Sequence, residues 1–158
     1  MTSDYWNRKH FADYVSRALI DRELPPWYVA YYCELSDATF RKYMKCTGLP
    51  SPIKLIMVAE LFECSVNDLL GYKSYCVEYR DRRFDSGRDT KTVSAYFVDH
   101  LLRYMEDCNY SRSDLAAKVC ISTFTMDRYI DEQKLPDTST LIRIAETLDC
   151  TPSDLLGY

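Results

Sequence analysis

The last sixteen residues of the chain repeat a segment that lies near its middle. Met57–Tyr72 returns as Arg143–Tyr158, sharing an Ala-Glu pair, a cysteine and the block Asp-Leu-Leu-Gly-Tyr. The offset is 86 residues, and held fixed it extends backwards without a gap to Phe11 and Phe97. Twenty of the 62 positions paired in this way are identical. An ungapped match of that length marks a duplication, so a fold available to one half must be available to the other. A unit of this size is long enough to fold alone. The expected organisation is a first domain over 1–72, a linker over 73–92 and a second domain over 93–158.

Each copy reads as five short helices, which makes the expected fold class all-α, twice over. Phe11, Tyr14, Val15 and Leu19 fall at i, i+3, i+4 and i+8, one apolar stripe of a first helix over Phe11–Arg22. Phe97, Leu101 and Met105 repeat it over Phe97–Cys108. The second helix opens at Pro25-Pro26, where proline suits a first turn, and at Ser111 or Ser113 in the other copy; it runs to about Cys33 and Val119. Ser36 and Ser122 open the third, which turns Phe40, Tyr43 and Met44, or Met126, Tyr129 and Ile130, inward. Leu49-Pro50 and Leu135-Pro136 break the chain before a fourth helix over Pro52–Phe62 and Thr138–Leu148. Asn67 or Ser153 begins a closing turn that Gly71 or Gly157 stops. Within 73–92, Tyr75–Tyr79 has β-propensity and is a candidate for pairing with a second copy, whereas the Arg-, Asp-, Ser- and Gly-rich remainder reads as solvated linker.

Composition narrows the chemistry. Of 158 residues, 47% are hydrophobic and 28% charged, enough apolar surface for a core. A net charge of −4 argues against a generally basic nucleic-acid coat or a polybasic membrane binder. No apolar run reaches the ~20 residues that span a bilayer. Met1–Trp6 lacks the layout of a signal peptide, so a cytoplasmic protein is expected. Seven cysteines, none of them in a C-x-x-C, and two histidines offer neither a disulfide framework nor zinc-ligand pairs. The cysteines are expected to be buried, reduced thiols acting as small hydrophobes. No metal and no cofactor is expected.

Two short helices joined by a tight turn, the second opening with serine, form the helix-turn-helix arrangement. Copy two carries Leu115-Ala116, Ile121-Ser122, Leu135-Pro136 and Leu141-Ile142-Arg143-Ile144-Ala145 with Leu148 in an order that resembles the Xre/Cro-type phage-repressor family. Copy one is similar through Val29-Ala30, Leu35-Ser36, Leu49-Pro50 and Val58-Ala59-Glu60-Leu61. The resemblance implies two tandem five-helix lambda-repressor-like domains and a third helix whose exposed face reads base edges in the major groove. Two departures stand out. Where the family places glycine between helices two and three, this chain has Glu34 and Cys120, which implies a strained or differently wound turn. The family's acidic residue and glycine after the reading helix are replaced by Met44 and Cys46, and by Ile130 and Glu132.

Carried over by position, the reading face of copy one is Asp37, Ala38, Arg41 and Lys42, with Lys45 near the backbone and Ser36 capping the helix within reach of phosphate. Arginine grips guanine O6 and N7 bidentately, and a lysine one residue on reaches the same acceptors or a phosphate. Ser36–Lys45 holds three bases and one acid; Ser122–Asp131 holds one base and two acids. The split repeats along the whole chain: residues 1–72 carry −1, 73–96 carry +2 and 97–158 carry −5. Phosphate contact works by counterion release, so an acidic reading helix is penalised before any base is read. Copy one, assisted by Arg80, Arg82 and Arg83, is therefore expected to hold the DNA. Copy two is expected to serve dimerisation or another partner, with Arg112, Thr123, Phe124 and Arg128 as its candidate DNA contacts.

Catalysis is not expected, because neither His10 nor His100 stands in a Ser-His-Asp or Cys-His constellation and no phosphate loop is present. His100, at the position of Tyr14, reads as a core-edge residue. The expected function is a sequence-specific transcriptional regulator of bacterial or phage type, a repressor working as a homodimer on double-stranded DNA. The alternative is a protein-binding module on the same scaffold: an anti-repressor, an antitoxin or a mobile-element inhibitor. It would use copy two or a tyrosine-rich surface around Tyr31, Tyr32, Tyr75 and Tyr79, since aromatic side chains enrich interface cores.

Overall fold

Short polar side chains punctuate this chain, and eight of the ten described helices are capped by one. The computed structural model describes residues 4–73 and 89–158, and among these it contains ten α-helices and no strand. The described residues fall into two compact units, 4–73 and 89–157. Unit one consists of α1 (Tyr5–Asp21), α2 (Pro26–Tyr32), α3 (Asp37–Met44), α4 (Pro52–Leu61) and α5 (Val66–Leu70). Unit two consists of α6 (Thr90–Asp107), α7 (Arg112–Lys118), α8 (Thr123–Asp131), α9 (Thr138–Thr147) and α10 (Pro152–Leu156). Side-chain oxygens of Ser36, Ser51, Ser65, Asp89, Ser111, Ser122, Asp137 and Thr151 accept from backbone N–H groups in the first turns of their helices. Each satisfies a donor that the helix leaves unpaired, typically worth about 1 kcal/mol. The closing helices α5 and α10 thus open at Val66 and Pro152 on capping boxes, one residue before the expected Asn67 and Ser153.

The largest correction concerns the first helix of each unit. α1 begins at Tyr5 and α6 at Thr90, well before Phe11 and Phe97, so the expected linker over 73–92 ends early. The extra turns are held by burial rather than by residues the two copies share. Asn7 is buried and donates from Nδ2 to the Leu70 carbonyl at 3.0 Å, tying α1 to the end of α5. Val93 sits 86 residues on, also buried, and extends the stripe through Phe97, Leu101 and Met105. One position is polar in one copy and apolar in the other, which hid both from the repeat. Arg80, Arg82, Arg83, Tyr75 and Tyr79, and the strand considered for 75–79, lie outside the described residues.

α4 is the centre of unit one: Leu55, Ile56, Met57, Val58 and Ala59 are all buried, so the helix is covered on every side. α9 presents Leu141, Ile142, Ile144 and Ala145 in the same way. Around α4, α1 packs on α3 and α5, and α2 packs on α3 and α4. His100 is half-buried, stacked on Tyr96 at 3.7 Å between ring centroids, and its Nδ1 lies 2.9 Å from the Tyr96 carbonyl, a core-edge place. Of the cysteines, Cys33 and Cys64 are buried, Cys46, Cys108 and Cys150 are half-buried and Cys120 is exposed; none of the six is in a disulfide, and Cys76 lies outside the described residues. Full burial therefore holds for two of them. Desolvation, reinforced by Asp154, pushes the Cys150 thiol up to about 12, so it stays protonated at neutral pH.

All ten helices stop on a residue in the left-handed region. Glu23, Glu34, Cys46, Glu63 and Gly71 do so in unit one, and Asn109, Cys120, Gln133, Asp149 and Gly157 in unit two. Four of these five pairs keep the 86-residue offset; the third, Cys46 and Gln133, is 87 apart because α8 has 9 residues and α3 has 8. The turns between α2 and α3 and between α7 and α8 are thus wound left-handed, at φ 54° for Glu34 and 60° for Cys120, without glycine. Leu35 N–H donates to the Ala30 carbonyl at 2.8 Å and Ile121 N–H to the Ala116 carbonyl at 3.0 Å, the i−5 bond of a Schellman end. A side chain held there costs about 1 kcal/mol or more. Cys120→Gly is expected to raise unit two's stability by about 0.5–1 kcal/mol, the relief of strain exceeding the extra freedom of the unfolded chain. Thermal unfolding followed by circular dichroism checks it, with the midpoint moving up by a few degrees.

Candidate nucleic-acid interface

α2 and α3, joined by the left-handed turn at Glu34, set out the sequence-predicted residues of unit one on one surface. Ser36 caps α3: its Oγ accepts from Thr39 N–H at 3.1 Å and donates to Thr39 Oγ1 at 2.8 Å. Phe40 is buried, and Tyr43 and Met44 are half-buried, as their inward assignment requires. Tyr43 meets the edge of Phe11, and burial raises its phenol pKa. With that face fixed inward, Ser36, Asp37, Ala38, Arg41, Lys42 and Lys45 are all exposed. Among the described residues Arg41, Lys42 and Lys45 make no ion pair. Three cations therefore project from α3 and its C-cap without an ion pair, against the single carboxylate of Asp37 in the first turn.

The same scaffold in unit two carries different electrostatics. Ser122 caps α8 with the geometry of Ser36, 3.1 Å to Thr125 N–H and 2.8 Å to Thr125 Oγ1. Met126 and Ile130 are buried inward. Positions 86 beyond Arg41 and Lys45, however, are Asp127 and Asp131. Arg112, at the start of α7, reaches both, with Nη1 3.1 Å from Asp127 and 2.9 Å from Asp131. Those bonds, the Asp131 one first, hold the guanidinium even more firmly protonated than usual. Arg128 pairs with Glu132 at 3.4 Å, and Lys134 with the same carboxylate at 3.3 Å, which lowers the Glu132 pKa.

Of the four candidate contacts in this unit, Thr123 and Phe124 are exposed, Phe124 at 72% of its surface. Arg112 and Arg128 already hold acidic partners of their own unit, Arg128 also lying 6.0 Å from the Phe124 ring centre. Sequence reasoning missed the Arg112 clamp. Its signal was present: acids at i and i+4 on α8, and a base where the other copy has Pro26. Of the tyrosine-rich surface, Tyr31 is 76% exposed and Tyr32 half-buried, while Tyr75 and Tyr79 lie outside the described residues.

Five packed helices, with a capped second pair joined by a tight left-handed turn, define a helix-turn-helix architecture. Residues 100–158 match the family model of the Cro/C1-type HTH DNA-binding domain, a span that begins inside α6 and takes in α7 to α10. That family supports DNA as the partner. The match falls on the acid-rich unit, not on the unit whose third helix carries the unpaired bases. No curated protein and no solved structure matches the chain. Among the described residues, no helix is long and apolar enough to cross a membrane, and no group of His, Cys, Asp or Glu is placed to hold a metal ion.

Proposed function

We propose that this chain is a tandem Cro/C1-type transcriptional regulator of bacterial or phage type, without catalytic activity. Residues 1–72 form the unit that reads DNA, 73–92 form a connecting segment shortened by the start of α6, and 93–158 form a second unit that dimerises or binds another partner. α3 lies in the major groove, Arg41 and Lys42 face base edges, and Lys45 and the Ser36 cap meet the backbone. The single observation that carries this reading is the contrast between the two third helices. Arg41, Lys42 and Lys45 are exposed without an ionic partner among the described residues, while Arg128 of α8, and the Arg112 beside it, are each held by a carboxylate. Forming a phosphate contact costs α3 no existing ion pair, whereas α8 would have to give one up.

Selection of bound sequences from a random DNA pool, with the purified chain, tests it. A palindromic consensus supports a homodimeric repressor, and a single half-site supports α3 reading alone. Affinity should fall with salt, with a log–log slope of about −0.9 for each phosphate held. No enriched sequence, together with salt-independent capture of one protein, selects the protein-binding module instead. Phe124, 72% exposed on α8, is the feature that favours that second reading.

A further inference from the structure

Unit one contains a groove beside the reading helix, which shares Asp37 and Arg41 with the face assigned to DNA. It opens between the end of α1, the start of α2 and the inner edge of α3, with a volume of about 720 Å³. Its walls are apolar: Leu19 and Phe40 are buried at the floor, while Ile20 and Trp27 stand at the sides, 75% and 60% exposed. Small-molecule sites run to roughly 300–1,000 Å³ and combine such walls with a few polar groups. Here those groups are Glu23, Asp37 and Arg41.

The duplicated unit shows what closes such a groove. The residue 86 beyond Pro26 is Arg112, and its side chain crosses to Asp127 and Asp131 on α8. The residue 86 beyond Leu24 is Tyr110, with the Lys118 ammonium 5.4 Å from its ring centre. Proline and leucine can make neither link. Unit one thus keeps open, with two large apolar side chains exposed, a space that its duplicate spans with ion pairs.

We propose that this groove binds a small lipophilic amine, an apolar body carrying one positive charge. Two carboxylates against one guanidinium leave the rim net negative, and neither Glu23 nor Asp37 has an ion pair among the described residues. A cation arriving with an apolar tail therefore gains charge attraction at the rim and burial along the walls. The exposed Trp27 indole adds a π face suited to an ammonium group. A carboxylate of the same shape would meet the two acids instead. Binding to this site is measured without DNA, so its failure and the failure of the DNA reading are told apart.

The test uses the full chain carrying Trp6→Phe, which leaves Trp27 as its one tryptophan. 4-Butylbenzylamine is titrated against indole emission, with 4-butylbenzoate as the anionic counterpart. Calorimetry on the unmodified chain repeats the measurement with Trp6 in place. The amine is expected to saturate the signal and to bind at least tenfold tighter than the carboxylate. Glu23→Gln with Asp37→Asn is expected to remove that preference, and circular dichroism verifies that the variant is folded. Should the double variant fail to fold, Glu23→Gln alone is expected to narrow the preference. Equal binding of amine and carboxylate, a preference unchanged in the folded variant, or no saturable amine binding by either method overturns the proposal.

Discussion

Replacing Arg41 and Lys42 together by glutamate is expected to lower DNA affinity by about 10²- to 10³-fold at physiological salt. Both side chains are exposed and make no ion pair among the described residues, so the double variant should keep its fold. α3 is anchored by buried Phe40 and by the Ser36 cap, neither of which the substitution touches. The loss has two sources. Favourable contacts to base edges or phosphates disappear, and two new negative charges face a polyanion. The informative control is the pair Arg112→Glu and Arg128→Glu in unit two. Those residues lie in the region that matches the Cro/C1-type family, but their guanidiniums already belong to Asp127, Asp131 and Glu132. A mobility-shift titration of both variants decides between the helices. If the unit-two pair abolishes binding and the α3 pair does not, α8 is the reading helix.

Gly71→Ala is expected to destabilise unit one by about 2–4 kcal/mol, combining left-handed strain with overpacking. Gly71 sits at φ 85°, and a Cβ there would stand 2.5 Å from the Trp6 ring and 2.8 Å from His10 Cγ. His10 cannot simply step aside, because its Nε2 is bonded to the Asp68 carbonyl at 3.0 Å. The chain has two tryptophans, Trp6 and Trp27, both in unit one, so indole emission reports the unfolding of that unit alone. Its midpoint should fall by about 10–20 °C for a unit of this size. Gly48→Ala serves as the comparison. No positive φ is involved, and the nearest atom is the flexible Lys42 Cε at 3.2 Å, so the shift should remain within about 0.5 kcal/mol. Equal midpoints for the two variants would show that the Trp6–His10 contact on Gly71 contributes nothing.

The helices were legible in the sequence because their signals are local. A serine at position 36 or 122 caps the helix after it, and a stripe such as Phe97, Leu101 and Met105 fixes the face that turns inward. The start of α1 was not legible, because it depends on a bond between Asn7 and the Leu70 carbonyl, 63 residues away. A polar residue ahead of an apolar stripe looks like the end of the pattern, while in the folded unit it closes the core. Of the two outcomes expected for the glycine-free turns, the strained one holds. Glu34 and Cys120 lack glycine's freedom, yet the i−5 hydrogen bond and the packing of flanking helices impose the left-handed backbone on them. The exposed face of α3 was carried over by position from the family resemblance, and it agrees with the inward turn of Phe40, Tyr43 and Met44. Which bases remain unpaired could not be carried over in this way, since the Arg112 clamp joins side chains 15 and 19 residues apart.

The two units fall out of step after the third helix, and this sets a rule for exchanging parts between them. α3 reaches its left-handed joint at Cys46 and α8 at Gln133, yet the next Leu-Pro pairs, Leu49-Pro50 and Leu135-Pro136, are again 86 apart. The extra helical residue is absorbed within three positions of irregular chain. A chimaera that moves only 36–45 into the place of 122–131 would bring a shorter helix to a joint built for a longer one. Moving 36–48 in place of 122–134 carries helix and joint together and rejoins the host at the shared leucine. The natural cassette for exchanging third helices within this chain is thus thirteen residues long, and it ends where the register closes.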